Sequence, residues 1–435
     1  MESDKSPQGR KKYTSPNLCP GALRFTGTGT APPNYMDAVK PLAGMRIGWL
    51  CGVFAACLLS GCATPQPKLA YTGNIMVDGP NAMAKGPPQD KVLWQYRTAA
   101  AAMRQGKYDV AKAYLDDALL TLGGIYGDDP NAKKARSYFH GESKKTFIGE
   151  PYERSMAYIY RGIIYWMDGQ VDNARACFKS AEFEDSDAEN KKYGGDWVLP
   201  DYLDGLATTK LGGDGSDAFK RAESEAKGIK LPPYDPKANV MFFVEFGPGP
   251  TKFATGEYKE QLRFSAPPSP VASARLKIDA LDIPIAPTDD VAYQATTRGG
   301  RVMDHILGNK AVFKSTTSTA GDVAMIGGLT TAAVSGNRTA QGVGLGIALA
   351  GLISKAVSSA ANPAADIRTW DNLPRYLSFA SFPLLPGEHT ATVEFLGPQG
   401  NVMPGLTKTI NINVTNIDHD TVVFVSDASL TPQSI

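Results

Sequence analysis

Cysteine is scarce in this chain and confined largely to one end. Of five in 435 residues, Cys19, Cys51, Cys57 and Cys62 lie in the first 62 positions, and only Cys177 lies beyond them. A disulfide framework is therefore excluded for the bulk of the chain, whose fold must rest on buried apolar surface, which a sequence this long can supply. Cys177 falls in an apolar helical pattern and reads as a small core residue. Histidine is scarcer still. His140, His305, His389 and His419 make no H-x-x-x-H or H-E-x-x-H spacing, and no cysteine pair complements them, so a zinc site is not expected. Neither a G-x-S-x-G elbow nor an S-x-x-K nucleophile occurs. Gly342-x-Gly344-x-Gly346 lacks the strand context and the final spacing of a dinucleotide fingerprint. Asp185-x-Asp187-x-Glu189 has the alternation of a calcium loop, but Asn190 stands where that loop needs glycine. Charge of one sign is also missing. The formal net charge is +1, which gives no electrostatic case for nucleic acid. No apolar run is long enough to span a bilayer as a helix. Catalytic residues, metals and dissociable cofactors are thus not expected, and the chain does not read as an enzyme.

What the sequence does have begins at Met45-Arg46. One basic residue is followed by an apolar stretch from Ile47 to Leu59, the anatomy of a signal peptide. Leu59-Ser60-Gly61-Cys62 then resembles the lipobox of bacterial lipoproteins. The resemblance implies signal-peptidase recognition through Leu59, Ser60 and Gly61, cleavage before Cys62, and a covalent lipid on that thiol as the only attached group. Ala63 is not the aspartate that retains such proteins in the inner membrane, so the outer membrane, facing the periplasm, is favoured. Residues 1–44 are polar and Pro/Gly-rich, and they are expected to be an upstream extension with Met45 as the true start. The signal peptide then covers residues 45–61, and the Pro/Gly/Ala-rich residues 62–90 read as a lipidated flexible tether.

From residue 91 to residue 232 the apolar period is helical. Gly106, Tyr108, Ala111, Leu115 and Ala118 repeat the spacing of Gly169, Val171, Ala174, Phe178 and Ala181. This resembles the tetratricopeptide repeat (TPR), in which small residues mark close helix crossings and a glycine ends the first helix of each pair. A degraded third copy runs from Tyr202 through Gly205 and Ala218 to Ala222. The first two copies are offset by more than one repeat length, so helical segments at Asn131–Phe139 and Lys145–Glu153 are expected between them. By repeat position, Tyr96, Ala100, Met103 and Arg104 of the first copy and Ile159, Ile163 and Trp166 of the second would line a partner-binding groove, the alternative being that they bury against the extra helices or the β-rich domain.

Past Leu231-Pro232-Pro233 the period becomes two. Strands are predicted at residues 239–246, 274–278, 391–395, 409–414 and 421–425, a β-rich, sandwich-like domain over residues 237–428. A helical insertion packed on the sheet is expected at about residues 341–361, the alternative being a glycine face of Gly342, Gly344, Gly346 and Gly351 used for self-association or membrane contact. Arg368 is expected to pair with Asp304 or Asp366 and to stack on Trp370, and His389 to cap a turn. The expected fold class is multidomain α + β, a TPR-like helical domain followed by the β-rich domain.

These pieces together resemble a group of bacterial lipoproteins with a TPR-like N-terminal half. The resemblance rests on Gly247-Pro248-Gly249-Pro250-Thr251-Lys252, Arg301-Val302-Met303-Asp304, Ala365-Asp366-Ile367-Arg368-Thr369-Trp370 with Leu373-Pro374, and Leu385-Pro386-Gly387-Glu388-His389. It implies no catalytic chemistry. The expectation is a non-enzymatic scaffold or assembly factor that meets the membrane through its lipid and grips a periplasmic or outer-membrane protein. A structural subunit of an envelope or secretion complex, and an enzyme acting on cell wall or glycans, are the alternatives.

Overall fold

The computed structural model describes residues 69–125, 145–186, 194–226, 228–297, 364–416, 419–430 and 433–434. Helices come first: α1 (Ile75–Lys85), α2 (Lys91–Arg104), α3 (Tyr108–Ile125), α4 (Pro151–Met167), α5 (Val171–Asp185), α6 (Val198–Lys210) and α7 (Ser216–Glu225). The strands follow, as β1 (Val240–Pro248), β2 (Thr251–Thr255), β3 (Gln261–Ser265), β4 (Ser273–Ile278), β5 (Leu281–Ile285) and β6 (Asp289–Asp290). A short helix α8 (Val291–Thr296) precedes β7 (Pro374–Phe382), β8 (Gly387–Leu396), β9 (Lys408–Val414), β10 (Thr421–Ser426) and β11 (Gln433–Ser434). The protein is of the α+β class. The five predicted strands lie in β1, β4, β8, β9 and β10.

Two sheets carry the architecture. The first has the order β10-β1-β7-β6, with β1 parallel to β10 and antiparallel to β7. The second has the order β11-β9-β8-β4-β5, and β2 and β3 form a separate hairpin. Successive side chains of a strand point to opposite faces, and β1 is buried on both. Val240, Phe242, Val244 and Phe246 share a core with Leu276, Ile278, Val393, Phe395, Ile410 and Ile412 of the second sheet. Met241 and Phe243 enter a different core with Ile159, Ile163, Tyr202, Phe379 and Phe424, most of it supplied by the helices. The layers are therefore helix, sheet, sheet.

The helices pack in consecutive pairs, α2 with α3, α4 with α5 and α6 with α7. Glycine makes two of these pairings close. A Cβ on Gly162 would lie 2.6 Å from the Phe178 ring, and one on Gly205 would lie 2.9 Å from Phe219. The turn between helices of a pair uses Gly106, Gly169 or Gly212, each at positive φ, where a side chain would be strained.

Three expectations are corrected. First, residues 91–232 and 237–428 are layers of one compact unit, because a single apolar cluster runs through the helices and the first sheet. Second, the expected tether folds from Ile75 to Lys85. Asn74 caps this helix, Gly79 lets it approach α2 (a Cβ there would meet Thr98 Oγ1 at 2.0 Å), and Pro80 is accommodated within it. Packing onto α2 outweighs the low helical propensity of Gly and Pro. Third, the helix expected from Lys145 is extended chain until Pro151, which starts α4 at the position where proline's missing N–H costs nothing. Residues 131–139 and the insertion at 341–361, with Gly342, Gly344, Gly346 and Gly351, lie outside the described residues, as do Leu59, Ser60, Gly61 and Cys62.

The Gly162–Phe178 crossing gives a direct test. Gly162→Ala overpacks it and should destabilise by about 1–3 kcal/mol in urea unfolding. Gly162→Ala combined with Phe178→Leu should recover part of the loss.

Candidate functional site

The residues expected to line an open groove are in the core. Tyr96, Ala100, Met103, Ile159, Ile163 and Trp166 are all fully or nearly fully buried. Tyr96 stacks on Trp370 with ring centroids 4.5 Å apart. Arg104 Nε bonds Glu245 Oε1 of β1 at 2.6 Å. Trp166 Nε1 donates to Asp420 Oδ2 at 2.9 Å. The assignment of Tyr96, Met103, Arg104, Ile159, Ile163 and Trp166 to partner binding is therefore corrected. Their physical partner is the sheet, whose odd β1 face (Met241, Phe243) would otherwise meet water.

Glu245 is the polar member of that odd face. It accepts from Arg104 and from the Tyr160 hydroxyl. A one-residue slip of β1 would carry it into the purely apolar core between the sheets, so this contact specifies register.

The polar geometry concentrates elsewhere, around Glu153 at the start of α4. This carboxylate is fully buried and receives three donors: Trp370 N at 2.8 Å, Glu150 N at 2.7 Å, and Lys252 Nζ. Lys252 also donates to the Arg368 carbonyl at 2.9 Å and lies over the Phe147 ring, 5.3 Å from its centroid. Burial pushes the Glu153 carboxyl up, opposed by the ammonium of Lys252. Burial likewise pushes Lys252 down, opposed by Glu153. Mutual attraction and the extra hydrogen bonds on both members offset part of that desolvation.

Above it, Arg368 ties three segments together. Its guanidinium bonds Asp366 at 2.6 Å, Asp90 at 2.7 Å and the Lys145 carbonyl at 3.0 Å, and it lies 5.4 Å from the centroid of Phe147. Of the expected partners Asp366 is found, and Asp304 lies outside the described residues. Phe147 takes the place expected for Trp370, because Trp370 is already stacked on Tyr96.

The family-like motifs thus meet in space. Gly249 N donates to Leu373 O at 3.0 Å, and a Cβ on Gly249 would lie 2.5 Å from that oxygen, so glycine is required for the two backbones to touch. Lys252 follows in the same run, and Ala365–Trp370 supplies the other wall. Arg301-Val302-Met303-Asp304 lies outside the described residues.

Beside this ionic belt is a cleft of about 510 Å³, lined by Tyr71, Trp94, Arg97, Ile367, Arg368 and Asp371 among others. Tyr71 stacks on Trp94 at 5.3 Å, and the Arg97 guanidinium lies 5.0 Å from the centroid of Trp94. Arg97 is fixed by the Thr369 carbonyl at 2.8 Å and Asp371 at 3.0 Å. The sequence reading missed Tyr71, Trp94 and Arg97. The available signal was an aromatic pair flanking the Pro/Gly-rich segment.

Other groups weighed for chemistry are structural. His389 bridges Asp279 at 2.7 Å and the Leu385 carbonyl at 2.9 Å, securing the turn into β8. Burial pushes the Cys177 thiol up to about 12, so it stays protonated and inert. In the acidic run, Asp185 accepts from Gly195 N at 2.7 Å. Glu182 belongs to a cluster with Asp201 and Arg221, and burial followed by Asp201 raises its carboxyl to about 8. His140, His305, Asp187, Glu189 and Asn190 lie outside the described residues. Among the described residues, no group of three or more His, Cys, Asp or Glu side chains could hold a metal ion.

A second long-range polar tie is Asp289 in β6, which accepts from Val198 N at 2.9 Å and Leu199 N at 2.8 Å and so caps α6 from the sheet. Burial raises its carboxyl to about 7, against the lowering effect of the two N–H donors. Between about pH 4 and pH 7 the folded protein therefore holds a proton that the unfolded chain has released, and this contribution to stability is lost as pH rises across that window. Asp289→Asn should flatten that fall in denaturation midpoints measured from pH 4 to pH 8. In the ionic belt, Lys252→Met should cost about 3–5 kcal/mol in urea unfolding, because Glu153 is left buried without its cation. Lys252→Met with Glu153→Gln should restore a measurable share.

No family model, no curated protein and no solved structure matches the chain.

Proposed function

We propose that the protein is a non-enzymatic envelope lipoprotein. It is cleaved before Cys62, anchored by lipid on that residue to the periplasmic face of the outer membrane, and acts as a scaffold or assembly factor for another envelope protein. The lipobox of Leu59, Ser60, Gly61 and Cys62 supports the anchor. The paired helices, with glycine at the close crossings and in the turns, support a TPR-like reading of the helical layer.

With the first helix of each pair committed to the sheet, the partner surface moves to the second helices. One observation carries this. Leu120 on α3 is 76% exposed and Phe183 on α5 is 70% exposed. They occupy equivalent repeat positions, since the step from Leu120 to Phe183 equals the step from Ala111 to Ala174. Two large apolar residues held in water at matched positions form a repeated hydrophobic feature suited to a protein partner.

A photoreactive residue at Leu120 or Phe183 should give a discrete adduct with another envelope protein in cells, and one at buried Met103 should not. Cys62→Ser should abolish both palmitate incorporation and the adduct. Absence of adducts from Leu120 and Phe183, with the lipid in place, would sink the scaffold reading.

A further inference from the structure

The first described residues lie close, in sequence, to the proposed anchor. Only six residues, a span of seven steps, separate Cys62 from Leu69, about 25 Å at full stretch. The chain is then pinned at once. The Asp78 carboxylate accepts from Thr72 N, Thr72 Oγ1 and Gly73 N at 2.8–3.0 Å, and Tyr71 stacks on Trp94. The place where the chain leaves the folded body is thus fixed, and it is the rim of the Tyr71–Trp94 cleft.

We propose that this cleft is a second, non-covalent membrane contact that seats on a zwitterionic phospholipid surface. The inference rests on the anchor reading at Cys62. Three observations carry it. The short span from Cys62 means that the face bearing Tyr71 is the one a lipid anchor draws toward the bilayer. Tyr71 is 55% exposed and Ile367 is 54% exposed at the cleft, with Trp94 half-buried between polar groups. Tyrosine and tryptophan partition to the lipid–water interface because one end of each ring is apolar and the other can hydrogen-bond. The charges of the cleft also balance. Arg97 stands with Asp371, and Arg368 with Asp90. That pattern offers no excess charge to a polyanion, but it matches a headgroup that carries both a phosphate and an ammonium.

Tryptophan fluorescence reads this contact selectively. The mature chain from Cys62 holds Trp94, Trp166, Trp197 and Trp370, and the last three are almost wholly buried. The mature lipoprotein, purified from membranes, is reconstituted into phosphatidylethanolamine–phosphatidylcholine vesicles with and without brominated acyl chains. Emission of the wild type should fall in brominated vesicles, and emission of Trp94→Phe should not. Tyr71→Asp with Ile367→Asp should abolish the fall while near-ultraviolet circular dichroism stays native. If Cys62 carries labelled palmitate and the wild type is quenched no more than Trp94→Phe, the cleft faces away from lipid and the contact is refuted with the anchor intact. If Cys62 carries no label, the anchor fails and the contact with it. Sedimentation with purified cell-wall sacculi that depends on Trp94 would assign the cleft to a glycan and overturn the proposal.

Discussion

Everything in this fold depends on β1 being apolar on both faces. A strand in a two-layer sandwich can leave one face to solvent, and its outward residues are then polar. Here Val240, Phe242, Val244 and Phe246 point to one side, Met241 and Phe243 to the other, and all are buried. The second sheet covers the first set. The second set requires another cover, and the inner faces of α2, α4 and α6 provide it. The geometry is anchored by Glu245, whose charge is met by Arg104 and Tyr160 from two of those helices. An unpaired carboxylate there would carry a desolvation cost of several kcal/mol, so sheet and helices are bound to one arrangement.

That constraint decides what the helical layer can do. Aromatic, methionine and arginine residues along the first helices of each pair have the composition of a binding surface, and they do bind a surface, the chain's own sheet. The segment from Ala365 to Leu373 completes the seal at one end. It brings Trp370 against Tyr96 and its backbone N–H to Glu153, while Lys252 arrives from the β2 hairpin. Of the residues on which the family-like resemblance rests, Gly249, Lys252 and Ala365–Trp370 are therefore joint residues at this seal, where Lys252 compensates the buried charge of Glu153.

Much of this was legible in the sequence, in a way that physical periodicity explains. Alternation over residues 391–395 and 409–414 identified strands because side chains alternate faces whatever covers them. Gly106 and Gly169 identified helix turns because only glycine sits easily at positive φ. What periodicity cannot carry is the identity of the cover. Tyr96 and Trp166 have the same spacing whether they face a peptide or a strand far along the chain. Helix α1 was hidden because Gly79 and Pro80 are breakers by intrinsic propensity, and their tolerance comes from Thr98 across the α1–α2 contact. Asp289 was invisible as a cap because the helix it caps begins at Val198, far away in sequence.

A closed inner face also changes how the exposed sites can work. Arg97 and Arg368 at the cleft are already immobilised by carboxylates and by the carbonyls of Thr369 and Lys145. Ordering a long side chain on binding costs about 0.5–1.5 kcal/mol, and here that ordering has taken place in folding. The same ion pairs lower the net charge that the cleft presents, so rigidity is gained at the expense of long-range attraction. A site of this kind gains little from steering and depends on being delivered to its ligand. A short anchor at Cys62 would supply that delivery, since it replaces diffusional encounter by a fixed local concentration. On the proposed reading, the balanced charge of the cleft and the proximity of the anchor are two sides of one design, in which position substitutes for affinity.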